Sequence, residues 1–183
     1  DNVIRAANSA DDNSTVNNSG TIVTETGNNA IYYSATDSGY IYNTGTISAT
    51  TKAYTIQTRD NTNFKIDNYG TITNSSSSGQ TIYSQTVSDP DTGTIINNYA
   101  GGVISAPNNT AGTNAELGAF NTKSSAPSDN WTINNWGTIT AAYDTMTIGT
   151  SYTINNYGTI ESTNYDYPAI IPVGNNNTIN LYD

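Results

Sequence analysis

Catalysis and metal binding draw on residues that exchange protons, ligate ions or attack electrophiles, and this 183-residue chain holds few of them. It has no His and no Cys, which removes the commonest general base and zinc ligand together with thiol chemistry, disulfides and thiolate metal sites. The close carboxylate pairs are Asp11 with Asp12 and Asp89 with Asp91, the latter in the turn string Asp89-Pro90-Asp91-Thr92-Gly93. Polysaccharide-cleaving β-helix enzymes need clustered carboxylates in a cleft, usually beside Arg or Lys. Here the basic residues Arg5, Lys52, Arg59, Lys65 and Lys123 do not recur in register with an acidic pair. The Gly-Gly-x-Gly-x-Asp calcium repeat is also missing. The expectation is a non-enzymatic chain without a catalytic, metal or cofactor site.

What recurs instead is a string of Asn, aromatic, Gly and Thr residues. It reads Thr153-Ile154-Asn155-Asn156-Tyr157-Gly158-Thr159-Ile160 and Thr132-Ile133-Asn134-Asn135-Trp136-Gly137-Thr138-Ile139, with looser copies from residue 15 to the end. Its first aliphatic position falls at 16, 41, 66, 96, 133, 154 and 179, in steps of 25, 25, 30, 37, 21 and 25. A unit near 25 residues lies in the range of solenoids, arrays and propellers. A second aliphatic cluster follows each string: Ile31, Ile56, Ile82, Ile148 and Ile170 come 9 or 10 residues after Ile22, Ile47, Ile72, Ile139 and Ile160. Each unit therefore holds two or three short strands of alternating pattern separated by polar corners.

Asn-Gly and Asp-Gly, the strongest hairpin signals, occur nowhere. Strands without hairpins or helical periodicity predict an all-β fold: one ribbon wound into a right-handed parallel β-helix (β-solenoid) of about 25 residues per coil. Roughly seven coils, partial ones included, form a single domain over 1–183, with insertions around 84–95 and 105–130. Mean hydropathy is −0.51 and hydrophobic residues are 34%, too few for a thick two-layer core but enough for a core one coil wide.

On that scaffold, equivalent residues stack. Ile22, Ile47, Ile72, Ile104, Ile139 and Ile160 form an inward column. Asn18, Asn43, Asn68, Asn98, Asn135 and Asn156 form a structural ladder whose amides bond along the stack at a bend. The Gly two residues later is expected to tolerate a positive φ there. Tyr69, Tyr99, Trp136, Tyr157 and Tyr182 form an outward aromatic ladder, a candidate surface for sugar rings or for another rod. Thr21, Thr46, Thr71, Thr138 and Thr159 make an outward Thr column, interrupted at Gly102-Val103, of the type used by ice-binding solenoids. Sequons at Asn13, Asn74, Asn108, Asn130 and Asn176 permit N-glycosylation.

The strings at 133–139 and 154–160 resemble the coils of autotransporter passenger domains and related bacterial surface adhesins. That resemblance implies an exported parallel β-helix serving as a stalk or adhesive rod. The net charge of −10, with five Lys+Arg against 15 Asp+Glu, argues against nucleic acid as a partner. No run of 18 apolar residues is present to span a membrane. An opening Asp1 in place of Met points to a processed product. Strand-like ends at Asn2-Val3-Ile4 and Thr178-Ile179-Asn180-Leu181-Tyr182 make Val3, Ile4, Ile179 and Leu181 candidate contacts for end-to-end self-association. The function read from sequence is an extracellular structural or adhesive rod at a bacterial surface, as the repeating subunit of a head-to-tail fibre. A glycan- or host-surface-binding module is the alternative.

Overall fold

The computed structural model describes residues 2–7, 13–25, 27–34, 38–50, 54–60, 63–85, 92–110, 118–122 and 130–183. It is a parallel β-solenoid of about six turns. The first turn is β1 (Ile4–Ala7), β2 (Thr15–Asn18) and β3 (Thr21–Thr24). The second is β4 (Ile31–Ser34), β5 (Tyr40–Asn43) and β6 (Thr46–Ala49), and the third is β7 (Tyr54–Arg59), β8 (Lys65–Asn68) and β9 (Thr71–Asn74). The fourth is β10 (Gln80–Gln85), β11 (Ile95–Asn98) and β12 (Val103–Ala106), and the fifth is β13 (Phe120–Asn121), β14 (Thr132–Asn135) and β15 (Thr138–Ala141). The sixth is β16 (Met146–Ile148), β17 (Thr153–Asn156) and β18 (Thr159–Ser162), followed by β19 (Ile170–Pro172) and β20 (Thr178–Leu181).

Every third strand joins the same sheet. Sheet 1 runs β1-β4-β7-β10-β13-β16-β19, sheet 2 runs β2-β5-β8-β11-β14-β17-β20, and sheet 3 runs β3-β6-β9-β12-β15-β18. Each pairing is parallel and in register, so like residues sit above one another: Ile41 on Ile66, Ile96 on Ile133, Ile72 on Ile104. The core is the space between the sheets. Ile41, Ile47, Ile56, Ile66, Ile72, Ile82, Ile96, Ile104, Ile133, Ile139 and Ile154 are fully buried there, each such side chain contributing about 1.5–3 kcal/mol.

Three details differ from the sequence reading. Ile148 is not the residue aligned with Ile170; Met146 is, and Ile148 pairs with Pro172. The Met146 thioether is apolar and unbranched, so it fills an Ile slot without a recognisable repeat. The region 105–130 is not a single bulge, because Phe120 returns to sheet 1 opposite Ile82 and Met146. Residues 86–91, 111–117 and 123–129, which cover much of the expected insertions, lie outside the described residues.

The third difference is the corner glycine. Gly45, Gly70, Gly102, Gly137 and Gly158 do not have positive φ; among described glycines only Gly27, Gly93 and Gly101 do. Their cause is backbone stacking. A Cβ on Gly70 would strike the Gly45 carbonyl oxygen, and one on Gly158 would strike that of Gly137. The same oxygens accept the next turn's amides, Thr71 from Gly45 at 2.9 Å and Thr159 from Gly137 at 2.9 Å. Turns this close leave no room for a side chain.

Candidate functional site

The corner after sheet 2 begins with the Asn column. Asn18 Nδ2 donates to Asn43 Oδ1 at 2.8 Å, Asn43 to Asn68 at 2.8 Å, Asn68 to Asn98 at 2.8 Å, Asn98 to Asn135 at 2.8 Å and Asn135 to Asn156 at 2.7 Å. Each of these nitrogens also reaches the glycine carbonyl of its own corner and a strand carbonyl of the next turn; for Asn68 these are Gly70 at 3.0 Å and Val103 at 3.3 Å. Asn43, Asn68, Asn98 and Asn135 are fully buried. The column therefore satisfies corner carbonyls that water cannot reach. Leu181 stands above Asn156 in register and ends it.

A second amide column, which the sequence reading missed, lies one residue earlier on the outer face. Asn180 donates to Asn155, Asn155 to Asn134 and Asn134 to Asn97, each at 2.8 Å, and Asn97 donates to Asp67 Oδ1 at 2.7 Å. These bonds point toward the chain start, opposite to the corner column. Asp67 sets that direction, because a carboxylate can only accept. The other oxygen, Asp67 Oδ2, takes the Tyr40 hydroxyl at 2.7 Å and lies 2.8 Å from Lys65 Nζ. The Tyr99 hydroxyl adds a long bond to Oδ1 at 3.4 Å. Burial alone would raise the Asp67 carboxyl; the Asn97, Lys65 and Tyr40 donors together outweigh it and hold it below the usual carboxylate value. Burial, then the Asp67 charge, pushes the Tyr99 phenol up to about 12. The signal was in the string itself, whose Ile-Asn-Asn carries two Asn on opposite faces of one strand.

Beside this column runs the aromatic ladder. Ring centroids are 4.2 Å apart for Tyr69 and Tyr99, 5.6 Å for Tyr99 and Trp136, 5.2 Å for Trp136 and Tyr157, and 4.2 Å for Tyr157 and Tyr182, with planes within 10° of parallel. Tyr42 extends it below Tyr69 at 5.7 Å, tilted by 55°. At these separations each ring covers its neighbour's face. Solvent meets ring edges, while the free outer face of the ladder belongs to Tyr182.

Comparison of the chain with protein-family models, curated proteins and solved structures finds no match.

On sheet 3 the outward positions are Thr21, Thr46, Thr71, Val103, Thr138 and Thr159, with Val23, Ser48, Thr73, Ser105, Thr140 and Glu161 alongside. Valines and Glu161 interrupt both columns. Among the carboxylate pairs, Asp11, Asp12, Asp89 and Asp91 lie outside the described residues, as do Lys52 and Lys123. Among the described residues no cluster of three His, Cys, Asp or Glu could hold a metal. No described helix is long and apolar enough to cross a membrane. Asn74, one of the sequons, is fully buried with its Nδ2 bonded to the Gln80 carbonyl at 3.0 Å, which closes it to a glycan in the folded chain.

Val3, Ile179 and Leu181 are exposed and Ile4 is half-buried. Thr178 and Tyr182 donate back to Tyr152 and Asn156, so the alternation of a parallel strand turns the N–H and C=O of Ile179 and Leu181 outward. In β19, Val173 donates back to Ile148, which leaves Pro172, without an N–H, on the open side.

Proposed function

We propose that this chain is a non-enzymatic structural rod, exported to the cell exterior, in the manner of the bacterial autotransporter passengers and surface adhesins whose coils it resembles. The observation that supports this most is continuity. Three apolar columns, two amide ladders and an aromatic stack pass from turn to turn, so the repeating residues act together to hold one shape along one axis. The open edges of sheets 2 and 3, with Ile160, Ile179 and Leu181 on them, would accept further turns, from the same chain or from a second copy, and Pro172 weakens sheet 1 as a growing edge. Electron microscopy of the purified protein tests the fibre reading. Long uniform filaments one coil wide are expected; monodisperse short particles at high concentration would remove end-to-end association. Release of reducing ends from a polysaccharide panel would overturn the non-enzymatic reading.

An adhesive role for the outer face of sheet 2 is the second reading. Exposed Tyr42, Tyr69, Ile95, Trp136, Tyr157 and Tyr182 gather on that side of the rod. Because stacking covers the ring faces, a glycan would meet ring edges, hydroxyls and the outer amides. Binding on a glycan array that drops for Trp136→Ala and Tyr157→Ala supports it, and unchanged binding excludes the ladder.

A further inference from the structure

The chain contains no Cys, so no disulfide can tie one turn to the next, yet it brings several tyrosines into contact between turns. Three of these contacts are parallel and close: Tyr69 with Tyr99 at 4.2 Å and 4°, Tyr157 with Tyr182 at 4.2 Å and 6°, and Tyr54 with Tyr83 at 4.1 Å and 8°. Parallel phenols with centroids this close bring the ring edges that carry the ortho carbons, Cε, within reach of one another. Two other tyrosine contacts lack that geometry: Tyr42 and Tyr69 are tilted by 55° at 5.7 Å, and Tyr143 meets Tyr167 edge-on at 75°.

We propose that the three stacked tyrosine pairs are oxidative cross-linking sites, at which a peroxidase-class one-electron oxidant joins successive turns of the rod through a carbon–carbon bond between phenol rings. Each phenol loses one electron and its hydroxyl proton. The resulting phenoxyl radical carries spin on its oxygen and on Cε, since the para carbon is blocked by Cβ. Two facing radicals couple Cε to Cε, and each ring regains its aromaticity by moving the hydrogen on the joined carbon to its oxygen. The pair loses two hydrogens in all, and hydrogen peroxide takes up the two electrons and two protons to become two waters. Asp67 Oδ1, 3.4 Å from the Tyr99 hydroxyl, is an acceptor for the Tyr99 proton. Tyr157 and Tyr182 are 44% and 47% exposed, which leaves their hydroxyl edges open to the oxidant. Trp136 stands between Tyr99 and Tyr157, so each tyrosine of the ladder has its coupling partner within its own pair.

Dilute folded protein treated with a haem peroxidase and hydrogen peroxide tests this, followed by cleavage after Asp and Glu and tandem mass spectrometry, whose fragment ions tell Tyr54–Tyr83 from Tyr42–Tyr69 within the same two linked peptides. Asp89 and Asp91 separate the first pair, Glu161 and Asp166 the second, and Asp60 and Asp67 the third. The expected products are monomers with dityrosine fluorescence and linked peptides two hydrogens lighter than their sum. The three stacked pairs should exceed Tyr42–Tyr69 and Tyr143–Tyr167 links at least five-fold. Tyr182→Phe keeps the ring stack and should lose only its own link. Oxidation in urea should erase the selectivity. Absence of intramolecular links, links confined to the fully exposed Tyr165 between molecules, or the same pair distribution in urea would overturn the proposal.

Discussion

Asp67 and Asp144 are both buried carboxyls, and their surroundings push them in opposite directions. Asp67 is held low by its donors, so its share of stability is present above the ordinary carboxylate range and is lost as pH falls through its depressed value. Asp144 has a buried Oδ1 without a partner among the described residues, and burial pushes it up. Its folded form holds the proton more tightly than the unfolded form, so its contribution falls as pH rises through the raised value. Asp67→Asn should therefore lower the melting temperature at pH 7, and Asp144→Asn should raise it, with both differences shrinking below about pH 4. A pH series of thermal melts checks the two signs. Within the corner column, Asn98→Ala removes the partner of Asn68 and Asn135 and should cost about 3 kcal/mol by chemical denaturation. The corner column was legible because its Asn recurs at a fixed place in an eight-residue string. The outer column was not, since Asp67 and Tyr42 replace Asn in two of its positions and only register shows that Asp67 terminates it.

Among the elements, corner glycines separate geometry from conformation. Gly70→Ala drives a methyl into the Gly45 carbonyl and should cost roughly 3 kcal/mol, whereas Gly20→Ala, with nothing within 4 Å and no positive φ, should change stability by less than about 0.5 kcal/mol. Equal losses at both positions by urea titration would show that backbone freedom, not turn spacing, selects the glycine. The strands of sheets 2 and 3 could be read from sequence because each carries its own Ile, or in β2 the like-shaped Val16. Sheet 1 was harder, since Phe120 and Met146 take over the Ile slot there, and their volumes fit without repeating a letter.

As a whole molecule, the solenoid gives each turn neighbours only above and below, so stability should be graded along the axis. Hydrogen exchange is expected to be slowest in β8, β11 and β14, whose inward Ile66, Ile96 and Ile133 and corner Asn68, Asn98 and Asn135 are fully buried, and faster by at least ten-fold in β2 and β20. Uniform protection from end to end would mean that the rod opens only as a unit. The opposed polarity of the two amide ladders has a further effect. An α-helix lengthens by adding dipoles of one sense, until its termini behave as about half a charge each. Here the corner amides run one way and the outer amides the other, while strand peptides alternate along the axis. Their fields oppose, so lengthening adds little axial voltage, and the rod can extend without electrifying its tips.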